Sequence, residues 1–216
     1  MATDPPVKLQ PMANPQAQTP PARKSDRTRE RILDAAAVAF RERGFAATRL
    51  ADIAERAELQ APSIYYYFDS KEELIEEVLS LGVTRTYAHV VERVSAVAED
   101  DHLGRLKAAI EAHLAMVLQT GNYSAANLRL YGQMPDDIRK RLQRTQRTVG
   151  RYWADLLSNA QDAGAIRADL DLSATRMLIL GSLNWVAEWY RPGGLSPAQL
   201  GDLATAILLD GIAAPA

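Results

Sequence analysis

The chain has 216 residues, 47% hydrophobic and 24% charged, enough apolar material to build a core in one domain or two small ones. Its 25 lysines and arginines against 27 acids give a net charge of −2, which removes the simplest sign of a nucleic-acid partner, a strongly basic chain. The absence of cysteine excludes disulfides, thiolate nucleophiles and thiolate-ligated zinc, and the lack of any run of about 18 apolar residues excludes a membrane span.

The first ten residues lack the basic-then-apolar pattern of a secretory signal, so a cytoplasmic location is expected. Six of the eleven prolines fall in the first 21 residues, where nothing apolar recurs, and residues 1–24 are expected to form a disordered arm. Beyond it apolar residues recur at three- and four-residue spacing, which predicts helices almost throughout. The first is capped by Ser25 or Asp26, buries Ile32, Leu33, Ala36, Ala39 and Phe40, and stops at Gly44 as a left-handed terminal residue. Thr48 caps a short second helix with Leu50, Ile53, Ala54 and Ala57 inward. After Glu58-Leu59-Gln60 a third runs from Ala61 to about Phe68. Ser70 caps a fourth that reaches about Ala98, with Glu72 and Glu73 in its first turn and Gly82 as a candidate interruption. About five more follow, over roughly 102–119, 123–132, 136–163, 172–190 and 197–212, with breaks at Asp100-Asp101, Gly121, Pro135, Gly164 and Arg191–Gly194. The predicted architecture is all-α, about nine helices, with a small N-terminal three-helix unit joined to a larger bundle.

Residues 48–71 carry the functional information. Two helices of about eight residues joined by three or four match a helix-turn-helix, whose second helix enters the major groove. Pro62 suits the first turn of that helix, where its missing N–H costs no intrahelical bond. Gln60, Ser63, Tyr65, Tyr66 and Tyr67 offer donors, acceptors and flat apolar surface, and Lys71 lies where it can reach a phosphate. The tyrosines could instead pack the small domain. Consecutive helical residues point about 100° apart, however, so the three cannot all be core.

The runs Thr28–Ala36, Phe40, Gly44-Phe45, Thr48–Ala54, Ser63–Phe68 and Ser70–Leu74 make the chain similar to the TetR family of bacterial transcription regulators over residues 27–75. The resemblance implies a dimeric, mostly repressing DNA-binding protein. Residues 25–71 would be the helix-turn-helix domain and 72–216 a helical domain that binds a small effector and forms the dimer. It places Thr48 and Arg49 at the start of the second helix, facing DNA. Gln60, Ala61, Pro62, Ser63 and Tyr65 fall on the groove-facing helix, and Tyr66, Tyr67 and Lys71 at positions that touch phosphate or sugar. Phosphate contacts position such a protein while base-edge contacts specify the site, and Arg49 is the best-equipped base reader. The chain departs from the family in three places. Glu58 stands where the turn usually has glycine, so either a positive φ falls on a non-glycine or the turn differs slightly. Ala51 replaces a frequent basic residue, and Tyr67 the usual histidine.

Local charge agrees with a DNA-facing head. From Ala22 to Lys71 ten basic residues face eight acids, a balance of +2, whereas from Glu72 onward fourteen face eighteen, a balance of −4. Arg23, Lys24, Arg27 and Arg29 lie where an arm follows a groove, or where a helix start is simply solvated.

The C-terminal segment Leu183–Gly194 with Ser196–Leu200 is similar to a TetR branch of actinobacterial regulators of steroid-ring and fatty-acid breakdown, which respond to acyl-coenzyme A thioesters. That resemblance makes an acyl-CoA, or another anionic and apolar metabolite, the candidate effector. Independently, no acid occurs between Ile138 and Ala154, and Lys140, Arg144, Arg147 and Arg151 share a helix face. Either an anionic ligand or solvent and nearby acids offset that stripe. Arg144, Arg147, Arg151, Trp153, Trp185 and Trp189 are the candidate effector residues, with core packing or the dimer seam as the alternative for the tryptophans. His89, His102 and His113 lack metal-ligand spacing, and no cofactor site, nucleophile elbow or phosphate loop occurs, so neither a metal nor catalysis is expected. The rival function is a helical ligand-binding or scaffold protein that has lost DNA binding, which Glu58 and Ala51 would favour.

Overall fold

The computed structural model describes residues 24–212, so the predicted arm, Arg23 included, lies outside the described residues except for Lys24, which is already helical. Those residues form α1 (Lys24–Ala47), α2 (Leu50–Arg56), α3 (Ala61–Ile64), α4 (Lys71–Ser95), α5 (His102–Gln119), α6 (Gly121–Leu130), a 3-10 turn (Tyr131–Gln133), α7 (Asp136–Asp162), α8 (Leu172–Trp189) and α9 (Pro197–Ile212). Nine α-helices and no strand are found among the described residues, in keeping with the predicted all-α class. None of these helices is long and apolar enough to cross a membrane.

Two apolar cores organise the helices. The first gathers the buried face of α1 with Ile53 of α2, Ile64 of α3 and Phe68, and continues into Leu74, Ile75, Val78 and Leu79 of α4, Tyr123 and Ala126 of α6, and Ile138 and Leu142 of α7. The second holds Val90 and Val94 of α4 against α5, the distal half of α7 with Trp153 and Leu157, α8 and α9. Helix α4 thus belongs to both cores. The sequence drives this arrangement by placing apolar residues at helical spacing; each Leu or Ile taken from water contributes roughly 1.5–3 kcal/mol.

Several local expectations change in the folded chain. Helix α1 is already under way at Lys24, before its expected cap. Gly44 does break it, at φ 77 and ψ 171, a conformation reserved for glycine, but one further helical turn follows to Ala47. Gly82 does not interrupt α4. It lets α6 approach, because a Cβ there would stand 3.0 Å from that of Tyr123. The expected break between α5 and α6 falls at Thr120, and Gly121 is already the first residue of α6. The expected third helix is shorter, Ala61–Ile64, and the tyrosines fall on the turn beyond it. Ser70 caps α4 as expected, accepting from the Glu73 amide at 3.0 Å.

Candidate DNA-binding face and effector cavity

Helices α2 and α3 meet through the tight turn at Ala57–Leu59. Glu58 takes φ 54, the only positive φ on a non-glycine among the described residues and the first of the two outcomes expected at a usual glycine position. The turn is held because the Leu59 amide donates to Ala54 O at 2.9 Å and the Arg31 guanidinium donates to Ala57 O. Arg31 also pairs with Glu58 at 3.3 Å.

Arg49, Gln60, Ala61, Pro62, Tyr65 and Tyr66 lie exposed on this unit, with Tyr66 83% accessible, while Ser63 and Tyr67 are half-buried. Tyr67 leans on the first core and meets the Tyr66 ring edge-on at 5.2 Å. Arg49, not Thr48, is the N-cap of α2, and its amide donates to Asp52 Oδ2 at 3.3 Å.

Two predicted DNA-facing side chains point elsewhere. Thr48 is fully buried; its hydroxyl donates to Gly44 O at 2.7 Å and also lies 3.3 Å from Ala39 O, so it ties the α1 terminus to the α2 entry. Lys71 directs Nζ to Phe45 O at 2.9 Å and Thr48 O at 3.1 Å, over the Phe45 ring at 4.4 Å. Carbonyls at a helix end attract an ammonium, and the aromatic face adds to that attraction. Arg29 is likewise turned inward: it pairs with Glu77 of α4 and stacks on Phe68 at 4.8 Å. Arg27 and Lys24 remain exposed.

A cavity of about 370 Å³ opens among α4, α5, α6, α7 and α8. Its wall is mainly apolar, with Val83, Tyr87, Val90, Trp153 and Leu180, and carries a few polar groups: His113, Asn127, Gln146, Arg176 and Asn184. Such a mixture is typical of small-molecule sites. Beside it a surface groove is lined by Gln143, Gln146, Arg147, Gly150, Arg151 and Arg176, so Gln146, Gly150 and Arg176 border both spaces.

Arg176 donates to Gly150 O at 2.9 Å, and its buried Nε lacks a hydrogen-bond partner. Among the described residues, Lys140, Arg144, Arg147, Arg151 and Arg176 form no ion pair, whereas Arg139 pairs with Asp136 and Arg141 with Glu76 and Asp137. The three cations that border the cavity or its groove, Arg147, Arg151 and Arg176, are thus all without a carboxylate.

Of the six candidate effector residues, Trp153 lines the cavity, Arg147 and Arg151 line its groove, and Arg144 lies exposed outside both. Trp185 and Trp189 must be reassigned. They stand 57% and 51% accessible on the outer side of α8, because the helix turns its Asn184 face to the cavity and its Trp185 face away. With Leu178 on α8 and Leu203 and Ile207 on α9 they leave large apolar side chains in solvent. Arg176 was not among the expected effector residues, although it is the one basic residue of α8 and so a usable signal.

The cavity reaches the helix-turn-helix unit through Tyr123. Its ring is in the cavity wall, and its hydroxyl donates to Asp34 Oδ1 of α1 at 2.7 Å. Burial first, then the Asp34 carboxylate, hold the phenol protonated far above its usual range. Arg85 of α4 covers the same ring at 5.6 Å and pairs with Glu30 of α1 at 2.8 Å.

Comparison with known proteins follows the same division. The family profile described as "Bacterial regulatory proteins, tetR family" matches residues 32–78, and "Tetracyclin repressor-like, C-terminal domain" matches residues 99–212. The HTH-type transcriptional repressor KstR2 of Mycobacterium tuberculosis is 34% identical over 193 residues, 85% of this chain and 92% of that one. KstR2 of Rhodococcus jostii is 29% identical over 202 residues, 89% and 94% of the two chains. The solved structure of the ketosteroid transcriptional regulator KstR2 of Mycobacterium tuberculosis superposes with a TM-score of 0.78 at 28% identity, covering 87% of this chain and 95% of that one. AibR in complex with isovaleryl coenzyme A and operator DNA shares the fold, with a TM-score of 0.72 at 22% identity over 84% and 98% of the chains.

Proposed function

The chain belongs to the TetR family and is a TetR-type transcriptional repressor, and from that premise we propose that it is a homodimer released from a palindromic operator by an anionic, largely apolar effector, an acyl-CoA thioester in the first instance. The carrying observation is an apolar cavity opening beside Arg147, Arg151 and Arg176, three cations without carboxylate partners. An acyl group suits the cavity, and the phosphates of a coenzyme suit the cations through bidentate, charge-assisted hydrogen bonds. The isovaleryl coenzyme A that AibR, a solved structure of the same fold, holds together with operator DNA is in keeping with that class.

On DNA, Arg49, Gln60, Ala61, Pro62, Ser63 and Tyr65 read or line the groove, with Tyr66 and Tyr67 toward the backbone. The exposed apolar residues of α8 and α9 form the dimer seam and set the two heads about one helical turn of DNA apart. An effector wedged between α4, α6 and α8 favours a different setting of α1 and α4, so the heads no longer fit successive major grooves.

The test is fluorescence anisotropy with the DNA flanking the protein's own gene, at stated salt, titrated with acyl-CoAs of graded length, free coenzyme A and free fatty acids. Acyl-CoA should release DNA at concentrations that leave it bound with either half alone. Release by fatty acid alone, or by no acyl-CoA, overturns the effector class. Failure to bind any such DNA would favour the scaffold alternative.

A further inference from the structure

His113 stands in the cavity wall with its side chain buried, and no proposed DNA or phosphate contact uses it. Its Nε2 lies 2.9 Å from Asn184 Oδ1, an oxygen that only accepts, so Nε2 carries the hydrogen and donates. Burial disfavours the charged imidazolium. In the neutral ring Nδ1 is then a bare acceptor, and it has no hydrogen-bond partner. Two hydroxyls of the same cavity wall are engaged elsewhere: Thr86 donates to Gly82 O at 2.9 Å and Tyr123 to Asp34. Trp153 meets the imidazole only edge-on, ring centres 5.9 Å apart. A buried polar atom left unmatched costs stability, and a group of a bound ligand would supply the match.

We propose that His113, oriented by Asn184, recognises a hydroxyl at the inner end of the effector, the ligand O–H donating to Nδ1. The proposal rests on the reading of this cavity as the effector site and narrows the ligand class to an apolar body with an anionic group at one end and a neutral hydroxyl at the other. Arg176 and Asn184 lie on the same helix about 12 Å apart at 1.5 Å per residue, so one elongated molecule can meet both ends. A ketone or carboxylate at the inner end would set lone pair against lone pair. A site built around a polar partner discriminates strongly against analogues that cannot complete the bond.

The probes are 4-cyclohexylcyclohexanol and 4-cyclohexylcyclohexanone, titrated by NMR into the full chain without DNA or coenzyme A. The alcohol should bind the wild type at least fivefold more tightly than the ketone. The ¹⁵N spectrum of the free protein should show His113 protonated at Nε2, and its Nδ1 resonance should move with the alcohol and not with the ketone. In His113→Phe the alcohol-to-ketone ratio should fall to about one. Equal affinities, preference for the ketone, binding of neither, a free ring protonated at Nδ1, or a preference that survives His113→Phe would each overturn the assignment. If that variant does not fold, the wild-type tautomer and the Nδ1 shift decide. DNA release is read separately: acyl-CoA release without alcohol preference sinks only the His113 role, and the reverse result sinks only the acyl-CoA class.

Discussion

At the scale of single residues, the same side-chain chemistry serves different ends according to direction. Lys71 and Arg49 are both cations in the helix-turn-helix unit, yet Lys71 spends its ammonium on the carbonyls of Phe45 and Thr48 while Arg49 is exposed. If that difference carries over to DNA, Arg49→Ala should reduce the slope of log affinity against log salt by about 0.9 for one phosphate, or relax sequence preference if Arg49 reads a base. Lys71→Met should weaken binding by disturbing the α1–α2 junction, with the salt slope unchanged. Anisotropy titrations from 50 to 200 mM salt would check both.

His113 supplies a second test at this scale. Its folded pKa lies below the usual imidazole value of 6.5, with burial as the largest cause. The unfolded chain therefore binds a proton that the folded chain refuses. This contribution to stability is present above about 6.5 and is lost as the pH falls below it. The melting temperature should drop from pH 7.5 to 5.5 in the wild type and drop less in His113→Phe, as followed by circular dichroism.

Among the elements, α4 and α6 couple the cavity to the head. Helix α4 enters both cores, and α6 presents Tyr123 to the cavity and to Asp34 of α1 at once. Gly82 permits this close crossing. Tyr123→Phe keeps the ring in the wall and removes the bond to α1. Effector affinity of the DNA-free protein should stay within about twofold, while the ratio of effector affinities without and with operator should fall severalfold, because that ratio measures coupling alone. Calorimetric titration of effector in both states reads it; an unchanged ratio would remove Tyr123 from the link.

The whole molecule divides its charge between two tasks, a +2 segment through Lys71 and a −4 remainder, which the overall −2 conceals. It also leaves Leu178, Trp185 and Ile207 in solvent on α8 and α9. Apolar exposure on this scale marks an interface. Analytical ultracentrifugation should find the wild type dimeric and Ile207→Glu shifted toward monomer, with operator affinity lost in parallel, because one head contacts only a half-site.

The sequence by itself determined the all-α class and the helix-turn-helix, because apolar spacing, caps and turn residues act over a few positions, and its linked motifs carried the resemblance to the family. The resemblance to the family, which usually has glycine there, also singled out Glu58 as a place for a positive φ. The sequence also marked the carboxylate-free run of cations on α7. Direction across the fold was decided only by tertiary packing. Thr48 and Lys71 turn inward because unsatisfied carbonyls at the α1 terminus lie within their reach. Trp185 and Trp189 face solvent because the helical turn that sends Asn184 to His113 carries its neighbours away from the cavity. Arg176 joins Arg147 and Arg151 only because α8 packs beside α7. Those contacts bridge residues far apart in the chain, and local periodicity holds no record of which distant groups will meet.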